Sequence, residues 1–397
     1  MTEITPAMVK PDTLGNPEFL LTTNVASLRS SLQLTAFPRS HIPVLSMVRF
    51  QDSEITATDL DVCIKAKVPA MEAYGAALAP HRELQAIANS LRADTQITLR
   101  SRKGGIALSF DGGSYFLPSM DVSEFPEFSF KAERSYADIP KKFTQALRFA
   151  LPAVSTEETR YYLNGVCLSE DTHGVPVAVG TNGHILAAHP HGVFGKELVG
   201  RIIPSATAKR VANLPSPDRI ELSNNDRIAF HYSGISILSR LIDGTFPDWK
   251  RLPHARTDKH APVSVDSKTF VASVRRMKGA LSLVGNHTFI HLITTDGMLH
   301  LAGTNHEHYE AVERVPVLEG SAVLDFKPSY ATDYLIKVGQ LVQGDKLTLH
   351  IPSDVDTAIV TGEADGFYLL MPSRVDAKFA EKVRQQLIAG NLSGEAA

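Results

Sequence analysis

Paired histidines are the first side chains in this sequence that could do chemistry. His189 and His191 form one His-x-His pair, and His306 and His308 form another, a spacing that puts two imidazoles on one face of a strand. A zinc site needs three or four ligands at close spacing. Neither pair has a cysteine or a carboxylate cluster beside it that would supply the other ligands. We therefore expect no metal and no cofactor.

Motifs for phosphate binding and for nucleophilic catalysis are also missing. The segment 192–196 ends in Gly-Lys but lacks the earlier glycine and the final Ser or Thr of a P-loop. The sequence contains no Gly-x-Ser-x-Gly elbow. One enzymatic alternative stays open, an α+β hydrolase that uses His184 with a neighbouring acid. The main expectation is a protein that catalyses no reaction.

The composition is that of an ordinary globular chain, with 397 residues, 43% hydrophobic residues and a net charge of −3. No run approaches the about 20 apolar residues of a membrane helix, and residues 1–17 lack the apolar core of a signal peptide. Cys63 and Cys167 both lie in strand-like runs, which favours buried free thiols over a disulfide. We expect a cytoplasmic protein.

An internal repeat organises the chain. Thr58-Asp59, Thr181-Asn182 and Thr304-Asn305 each follow a β-rich run, and they lie 123 residues apart at both steps (58 to 181 and 181 to 304). The pair Phe125-Pro126 recurs as Phe246-Pro247. A repeat of this length is a domain with its own core rather than a solenoid unit. The predicted parts are an extension at 1–17, domains at 18–130, 131–254 and 255–375, and a tail at 376–397.

Each repeat combines two helical patterns with many short strands. Apolar residues at helical spacing predict one helix after the first strand and another in the middle of the repeat. The six predicted helices are 25–37, 81–92, 140–150, 205–214, 267–284 and 326–342. Because the strands do not alternate regularly with the helices, we expect an α+β fold in which each domain packs two helices against antiparallel sheets.

The six predicted helices are strongly basic. Within these bounds they hold two acidic residues, Glu83 and Asp333, and fourteen basic ones: Arg29, Arg82, Arg92, Lys141, Lys142, Arg148, Lys209, Arg210, Lys268, Arg275, Arg276, Lys278, Lys327 and Lys337. Solvated helices usually mix charges of both signs. We therefore expect the helices to face a polyanion. A homodimer could close them around duplex DNA and hold it by its phosphates without reading bases.

Four motifs then indicate a family. They are the segments 160–165 (Arg-Tyr-Tyr-Leu-Asn-Gly), 181–184 (Thr-Asn-Gly-His), 246–253 (Phe-Pro-Asp-Trp-Lys-Arg-Leu-Pro) and 368–374 (Tyr-Leu-Leu-Met-Pro-Ser-Arg). In this order and at these separations they resemble the bacterial DNA polymerase III β subunits, the β sliding clamps, over about residues 18–375. The resemblance implies three tandem clamp domains that dimerise into a ring, with the helices inside and the sheets outside. Such a ring acts as a processivity factor in DNA replication and has no catalytic activity.

The resemblance also implies partners and sites. The expected partners are duplex DNA, a second copy of the chain, the polymerase III α subunit, the clamp loader, and other polymerases and repair proteins that carry clamp-binding peptides, with no membrane. The peptide groove, between domains 2 and 3, would use Leu163, Thr181, Gly183, His184, Leu186, Pro247, Arg251, Leu252, Tyr330, Leu369, Leu370, Met371, Pro372, Ser373 and Arg374. DNA contacts would come from Arg39, Arg160, Tyr161 and Tyr162, besides basic helix residues. The dimer interface would pair Tyr115, Phe116 and Leu117 with the helix end around Leu281.

The sequence departs from the family pattern at three places. Ile185 follows the groove histidine where the family usually has arginine, and Asn182 replaces an aspartate. The chain also continues for 22 residues past Val375. In this tail Phe379, Val383 and Leu387 share one helical face. We expect a helix there that packs beside the groove and modulates access to it.

Overall fold

The computed structural model describes residues 18–193, 195–223, 226–252, 261–282, 288–304, 310–322, 324, 327–342, 344–363, 365–374 and 378–388. The chain divides into two compact units. The first contains the chain up to Ser135 and Asp218–Arg240, and the second contains Tyr136–Pro217 and the chain from Leu241 onward. The division into three domains stays a prediction. No helix among the described residues is long and apolar enough to cross a membrane.

Seven α-helices lie in the described part of the chain. They are α1 (Val25–Leu34), α2 (His81–Ser90), α3 (Lys142–Ala150), α4 (Ser205–Ala212), α5 (Ser267–Leu281), α6 (Thr332–Leu341) and α7 (Lys378–Ile388). The first six match the six predicted helices, and they pack as the pairs α1–α2, α3–α4 and α5–α6. Two begin with side-chain caps, since Asn24 accepts a hydrogen bond from the Ser27 N–H and Asp266 from the Thr269 N–H, both at 2.8 Å.

The strands pair antiparallel. The strands up to the start of the second repeat are β1 (Phe19–Asn24), β2 (Met47–Gln51), β3 (Glu54–Thr58), β4 (Val62–Lys67), β5 (Ala70–Pro80), β6 (Gln96–Arg102), β7 (Gly105–Phe110), β8 (Gly113–Pro118) and β9 (Arg134–Ala137). They are followed by β10 (Gly165–Glu170), β11 (Pro176–Thr181), β12 (Ile185–Pro190), β13 (Ile202–Pro204), β14 (Arg219–Ser223), β15 (Arg227–Tyr232) and β16 (Ile235–Arg240). The last are β17 (Ala261–Asp266), β18 (Phe289–Thr295), β19 (Met298–Thr304), β20 (Glu310–Pro316), β21 (Ser329–Ala331), β22 (Lys346–Ile351), β23 (Ala358–Thr361) and β24 (Phe367–Leu370).

The described strands form three sheets. One has the order β8-β7-β6-β1-β5-β2-β3-β4-β16-β15-β14-β9, with α1 and α2 packed on the core of the first unit. The second unit holds an eight-stranded sheet, β13-β10-β11-β12-β24-β23-β22-β17, and a four-stranded sheet, β20-β19-β18-β21. The predicted α+β class with antiparallel sheets is therefore confirmed.

The repeated Thr-Asp or Thr-Asn dipeptide forms a turn between two successive strands in the first two copies. Thr58 Oγ1 donates to the Val62 carbonyl at 2.8 Å, and Asp59 Oδ1 accepts from the Val62 N–H at 2.7 Å. In the second copy Thr181 Oγ1 donates to the Ile185 carbonyl at 2.7 Å, and Asn182 Oδ1 accepts from the Ile185 N–H at 3.0 Å. The amide oxygen of Asn182 therefore replaces the carboxylate without loss of the turn. Thr304 ends β19, and residues 305–309 lie outside the described residues.

Two predicted elements are wrong in part. The apolar run 161–168 by itself predicts one strand. In the structure Glu158–Leu163 forms 3₁₀ turns instead, and β10 begins only at Gly165. The helix expected over 326–342 begins at Thr332, because Ser329–Ala331 pairs with β18 as β21. These shorter helices also leave out Lys141, Arg92 and Lys327, so α1–α6 contain eleven basic and two acidic residues. The basic excess of the helices remains.

The tail helix packs elsewhere than expected. Phe379, Ala380 and Val383 of α7 pack on Ile293 and Ala302, which lie on β18 and β19 of the four-stranded sheet. Ion pairs tie the same helix down, from Lys382 to Glu310 at 2.7 Å and from Lys327 to Glu381 at 2.5 Å. Helix α7 thus covers one face of the four-stranded sheet. The expectation that it packs beside the groove is not supported, and residues 375–377, 389–397 and the side chain of Leu387 lie outside the described residues.

Candidate binding groove and basic helix face

The two faces of the eight-stranded sheet in the second unit pack against different residues. On one face Ile185 and Leu370 join a core with Phe149 of α3 and Phe270 of α5. On the other face the neighbouring residues Leu186 and Leu369 pack with Trp249. Alternation along β12 and β24 explains the split, because successive side chains point to opposite faces. The basic helices α3 and α5 therefore lie on one face, and the opposite face is left for a second function.

That opposite face contains an apolar groove. The groove has a volume of about 280 Å³. Its walls are mostly leucine, isoleucine, methionine, proline and aromatic side chains, with few polar groups to fix a ligand, as is typical of a binding site for an apolar ligand. The lining residues are Arg160, Tyr162, Leu163, Thr181, Gly183, His184, Ile185, Leu186, Pro247, Asp248, Trp249, Leu252, Leu369 and Met371.

Three contacts fix the polar side of the groove. The His184 ring stacks on the ring of Tyr334 in α6, with centroids 5.3 Å apart and planes 20° apart. The Met371 N–H donates to the His184 carbonyl at 3.0 Å, and Met371 Sδ accepts from Thr357 Oγ1 at 2.9 Å. These contacts join the turn after β11 to the end of β24 and to α6. The groove is therefore built from segments far apart in the sequence.

Arg160 closes the groove beside Gly183. Its Nε and Nη2 donate to the two carboxylate oxygens of Glu157, at 2.9 and 2.7 Å. The hydrogen bond from Arg160 lowers the pKa of the Glu157 carboxyl below its usual value. A Cβ atom on Gly183 would lie 2.8 Å from Arg160 Nη1, and the φ of Gly183 is +88°. Glycine is therefore required here for the backbone conformation and for the approach of the arginine.

Sequence reasoning placed nine of the lining residues in the groove, and other predicted members lie elsewhere. Leu370 is 1% exposed and faces the core with the helices, and Tyr330 of β21 is fully buried. Arg251 forms an exposed ion pair with Asp248. Arg374 is exposed, while Pro372 and Ser373 are half-buried, and none of these three lines the cavity. Strand alternation in 367–370 was the signal that could have separated Leu369 from Leu370.

Five lining residues were not predicted as groove members. Trp249 is the largest of them, is 3% exposed and donates its Nε1–H to Ser169 Oγ at 3.0 Å. Tyr162 and Arg160 were predicted as DNA contacts, yet both line the groove. The others are Ile185 and Asp248. The aromatic motif at 246–249 was a usable signal for Trp249, whereas nothing in the sequence shows that Arg160 reaches Gly183.

Two of the predicted DNA contacts hold helix pairs together. Arg29 of α1 donates from Nη2 to the Ala88 and Leu91 carbonyls at 2.7 and 2.8 Å, at the end of α2. Arg148 of α3 donates from Nε to the Ala212 carbonyl at 2.5 Å, at the end of α4. Both guanidinium groups therefore satisfy carbonyls at a helix C-terminus and lie at its negative end. Their first role is structural.

Most of the remaining predicted DNA contacts fall into two groups. Arg276 pairs with Glu313 at 2.5 Å and Lys278 pairs with Asp333, so their charges are partly compensated. Exposed basic residues form the other group: Arg39, Arg82, Lys141, Lys142, Lys209 and Arg275. Arg210 is half-buried, whereas Tyr161 is 54% exposed. The role of each in DNA binding stays a prediction.

The predicted dimer residues differ in exposure. Strand β8 lies at an edge of its sheet. Tyr115 is 46% exposed and Phe116 is 48% exposed, so β8 offers apolar surface. Leu117 and Leu281 are 6% and 2% exposed and belong to cores of this chain. A contact with another chain would therefore use Tyr115 and Phe116 first.

The two cysteine thiols and the His191 ring are buried in the protein. Cys63 and Cys167 are free and buried, as predicted, and burial raises the pKa of each thiol to about 12. Burial, and to a lesser extent the nearby Lys142, lower the pKa of His191 to about 4. His191 Nδ1 accepts from the Val193 N–H at 3.2 Å, so the ring is held neutral. Among the described residues no group of three or more His, Cys, Asp or Glu could hold a metal, and 306 and 308 lie outside them.

The hydrolase alternative finds no support in the described residues. His184 stacks on Tyr334, and within the described part of the chain no hydrogen bond joins its ring to a carboxylate. General acid–base catalysis requires a base within hydrogen-bond reach of its partner group. The groove instead has the apolar lining of a binding site.

Comparison with known proteins defines the class. The fold is that of DNA polymerase sliding clamps. A sliding clamp structure from Pseudomonas aeruginosa superposes with a TM-score of 0.80 at 23% identity, covering 90% of this chain and 100% of that one. The Caulobacter crescentus pol III beta structure gives a TM-score of 0.78 at 25% identity, with the same coverage.

Sequence comparison finds similarity to the same class of protein. Residues 139–248 match the family described as DNA polymerase III beta subunit, central domain. A beta sliding clamp from Caulobacter vibrioides is 26% identical over 361 residues, which cover 85% of this chain and 94% of that protein. The Escherichia coli K12 beta sliding clamp is 22% identical over 358 residues, with the same coverage. The resemblance of this chain to the bacterial DNA polymerase III beta subunit is therefore confirmed.

Proposed function

We propose that this protein is a DNA sliding clamp, a non-catalytic processivity factor that encircles duplex DNA in the cytoplasm and tethers the replicative polymerase to it. The observation that carries the proposal is the difference between the two faces of the eight-stranded sheet. Basic helices cover one face, and an apolar groove of about 280 Å³ opens on the other. A protein that held DNA on one side and partner peptides on the other would need this arrangement.

The DNA side would act through charge alone. The exposed basic residues of the helices would contact phosphates rather than base edges. Binding would then be independent of sequence and would weaken steeply with salt, because neutralised phosphates release counterions. Helices α1 and α2 of the first unit add Arg29 and Arg82 against the acidic Glu83. The three domains at 18–130, 131–254 and 255–375 would present their helix pairs to one central hole.

A closed ring requires a second copy of the chain. A homodimer with cyclic symmetry is the simplest closed assembly. The exposed edge strand β8, with Tyr115 and Phe116, supplies unpaired backbone groups and apolar surface for such a contact. We place the dimer interface there and at the end of α5, where surface residues beside the buried Leu281 would complete it.

The groove side would bind short peptides from client proteins. These clients are the polymerase III α subunit, the clamp loader, and other DNA polymerases and repair proteins that carry clamp-binding peptides. Sliding clamps from Bartonella birtlesii and Pseudomonas aeruginosa have been solved bound to griselimycin. Leucine and methionine side chains such as Leu163, Leu186, Leu369 and Met371 would adapt to different apolar peptides.

Solution mass together with a low-resolution envelope tests the ring. We expect twice the 43.2 kDa of one chain and an envelope with a central hole. A globular monomer without a hole would contradict the proposal. Titration with griselimycin tests the groove separately, because the single tryptophan of the chain, Trp249, lines it and its fluorescence should change.

A further inference from the structure

A second cavity adjoins the groove. It has a volume of about 390 Å³ and lies within the same unit of the chain. Pro247, Asp248 and Trp249 line both cavities, so this three-residue segment is their common wall. An extended peptide that leaves the groove over the exposed Pro247 would therefore reach the second cavity next.

The second cavity differs from the groove in charge. Arg201 and Lys250 line it, and the Arg201 Nε donates to the Glu197 carbonyl at 2.9 Å, which holds this side chain in place. Asp248 is the acidic residue among the lining side chains, and it pairs with Arg251 at 2.9 Å. The lining thus contains two basic side chains and one acidic side chain that is already paired. Carboxylates are the groups that such a pair of cations recognises.

Apolar surface completes the second cavity. Val199 is 38% exposed at its edge, and Phe246 is half-buried. An exposed valine beside a partly exposed aromatic ring offers contact area to an aliphatic side chain. The cavity thus combines two cations with a small apolar surface, whereas the groove is mainly apolar.

We propose that the second cavity binds an acidic segment that flanks the groove-binding peptide in the same client protein. This inference rests on the proposed function, since it assigns a second contact to the same client. Continuity with the groove through Pro247–Trp249 and the positive charge of Arg201 and Lys250 carry it. A carboxylate pair in the segment would meet the two cations, and an apolar residue would meet Val199 and Phe246. Clients with such a segment would bind more tightly than those without it.

Synthetic peptides test the proposal. The probes are an apolar pentapeptide with two leucines and a phenylalanine, and the same peptide lengthened by Asp-Asp-Leu-Asp at its N-terminus or its C-terminus. Trp249 fluorescence reports binding at both cavities, because its side chain lines both. We expect one of the two lengthened peptides to bind about tenfold more tightly than the pentapeptide at low salt. Equal affinity of all three peptides would overturn the inference.

Protein variants, and a peptide with asparagines in place of the aspartates, identify the source of the gain in affinity. Lys250→Glu and Arg201→Ala should each remove most of the tenfold gain and leave the pentapeptide affinity within about twofold. Lys346→Glu is the matched control, an exposed lysine at the start of β22 that lines neither cavity, and it should keep the gain. A gain that survives Lys250→Glu, or that persists when the aspartates become asparagines, would overturn the inference. A pentapeptide that fails to bind would contradict the groove itself and with it the proposed function.

Discussion

The rings of Phe149 and Tyr368 stack with centroids 4.3 Å apart and planes 21° apart. Phe149 belongs to α3 in the second sequence repeat, and Tyr368 belongs to β24 in the third. The same two repeats share a strand pair, since β12 and β24 run antiparallel from Ile185–Leu370 to Ala188–Phe367. The helix face and the groove face are therefore parts of one rigid sheet, and both depend on this junction.

Phe149→Ala should destabilise the second unit by about 3–5 kcal/mol, because it removes a buried ring and leaves a cavity beside Tyr368. Urea unfolding followed by Trp249 fluorescence would measure the change. Val355→Ala, at a residue of the same unit that is 64% exposed, should change stability by less than about 0.5 kcal/mol. Equal effects of the two substitutions would show that the ring stack does not hold the sheet together.

Substitutions of Arg148 and Lys209 should distinguish a basic residue that stabilises the fold from one that binds DNA by its charge. Arg148→Ala removes the hydrogen bond to the Ala212 carbonyl and should cost about 1–3 kcal/mol of folding free energy. Lys209→Ala, in the helix that Arg148 caps, removes an exposed charge and should leave stability nearly unchanged while it weakens DNA binding. Thermal unfolding and salt-dependent DNA binding are the two measurements. Identical stability of the two variants would refute the structural role of Arg148.

His191 should make stability depend on pH. Its pKa is lowered to about 4 in the folded protein from the ordinary value of 6.5, so the unfolded chain takes up the proton first as the pH falls. The stabilisation is complete above pH 6.5 and is lost progressively toward pH 4, by about 3 kcal/mol in total. His191→Gln should remove this part of the pH dependence. A difference in unfolding free energy between the two proteins that stays constant from pH 7.5 to 4 would contradict the assignment.

Deletion of α7 should affect stability rather than the groove. Removing 378–397 uncovers Ile293 and Ala302, and the free energy of unfolding should fall by several kcal/mol. Phe379→Ala should reproduce part of the loss, and the exposed Gln385→Ala should not. Griselimycin affinity should stay within about twofold. A deletion that changes griselimycin affinity and leaves stability intact would restore the expectation that the tail controls the groove.

The sequence predicted most of the fold because its signals are local. The threonine turns at Thr58 and Thr181 depend on hydrogen bonds within five residues, and the helices α1–α6 follow apolar spacing. What the sequence could not show depends on tertiary contacts. The 3₁₀ turns at Glu158–Leu163 bring Arg160 onto Gly183, and the pairing of β12 with β24 turns Leu369 to the groove and Leu370 to the core. Neither contact has a signature in local periodicity.

Retention on circular DNA tests the central claim most directly. The protein would be loaded by its clamp loader with ATP onto a singly nicked plasmid, isolated at high salt, and then treated with a restriction enzyme that cuts the plasmid once. Because a ring is held by topology and not by phosphate contacts, we expect it to stay on the circle and to leave after linearisation. Equal retention on circular and linear DNA, or loss from both at high salt, would contradict the account.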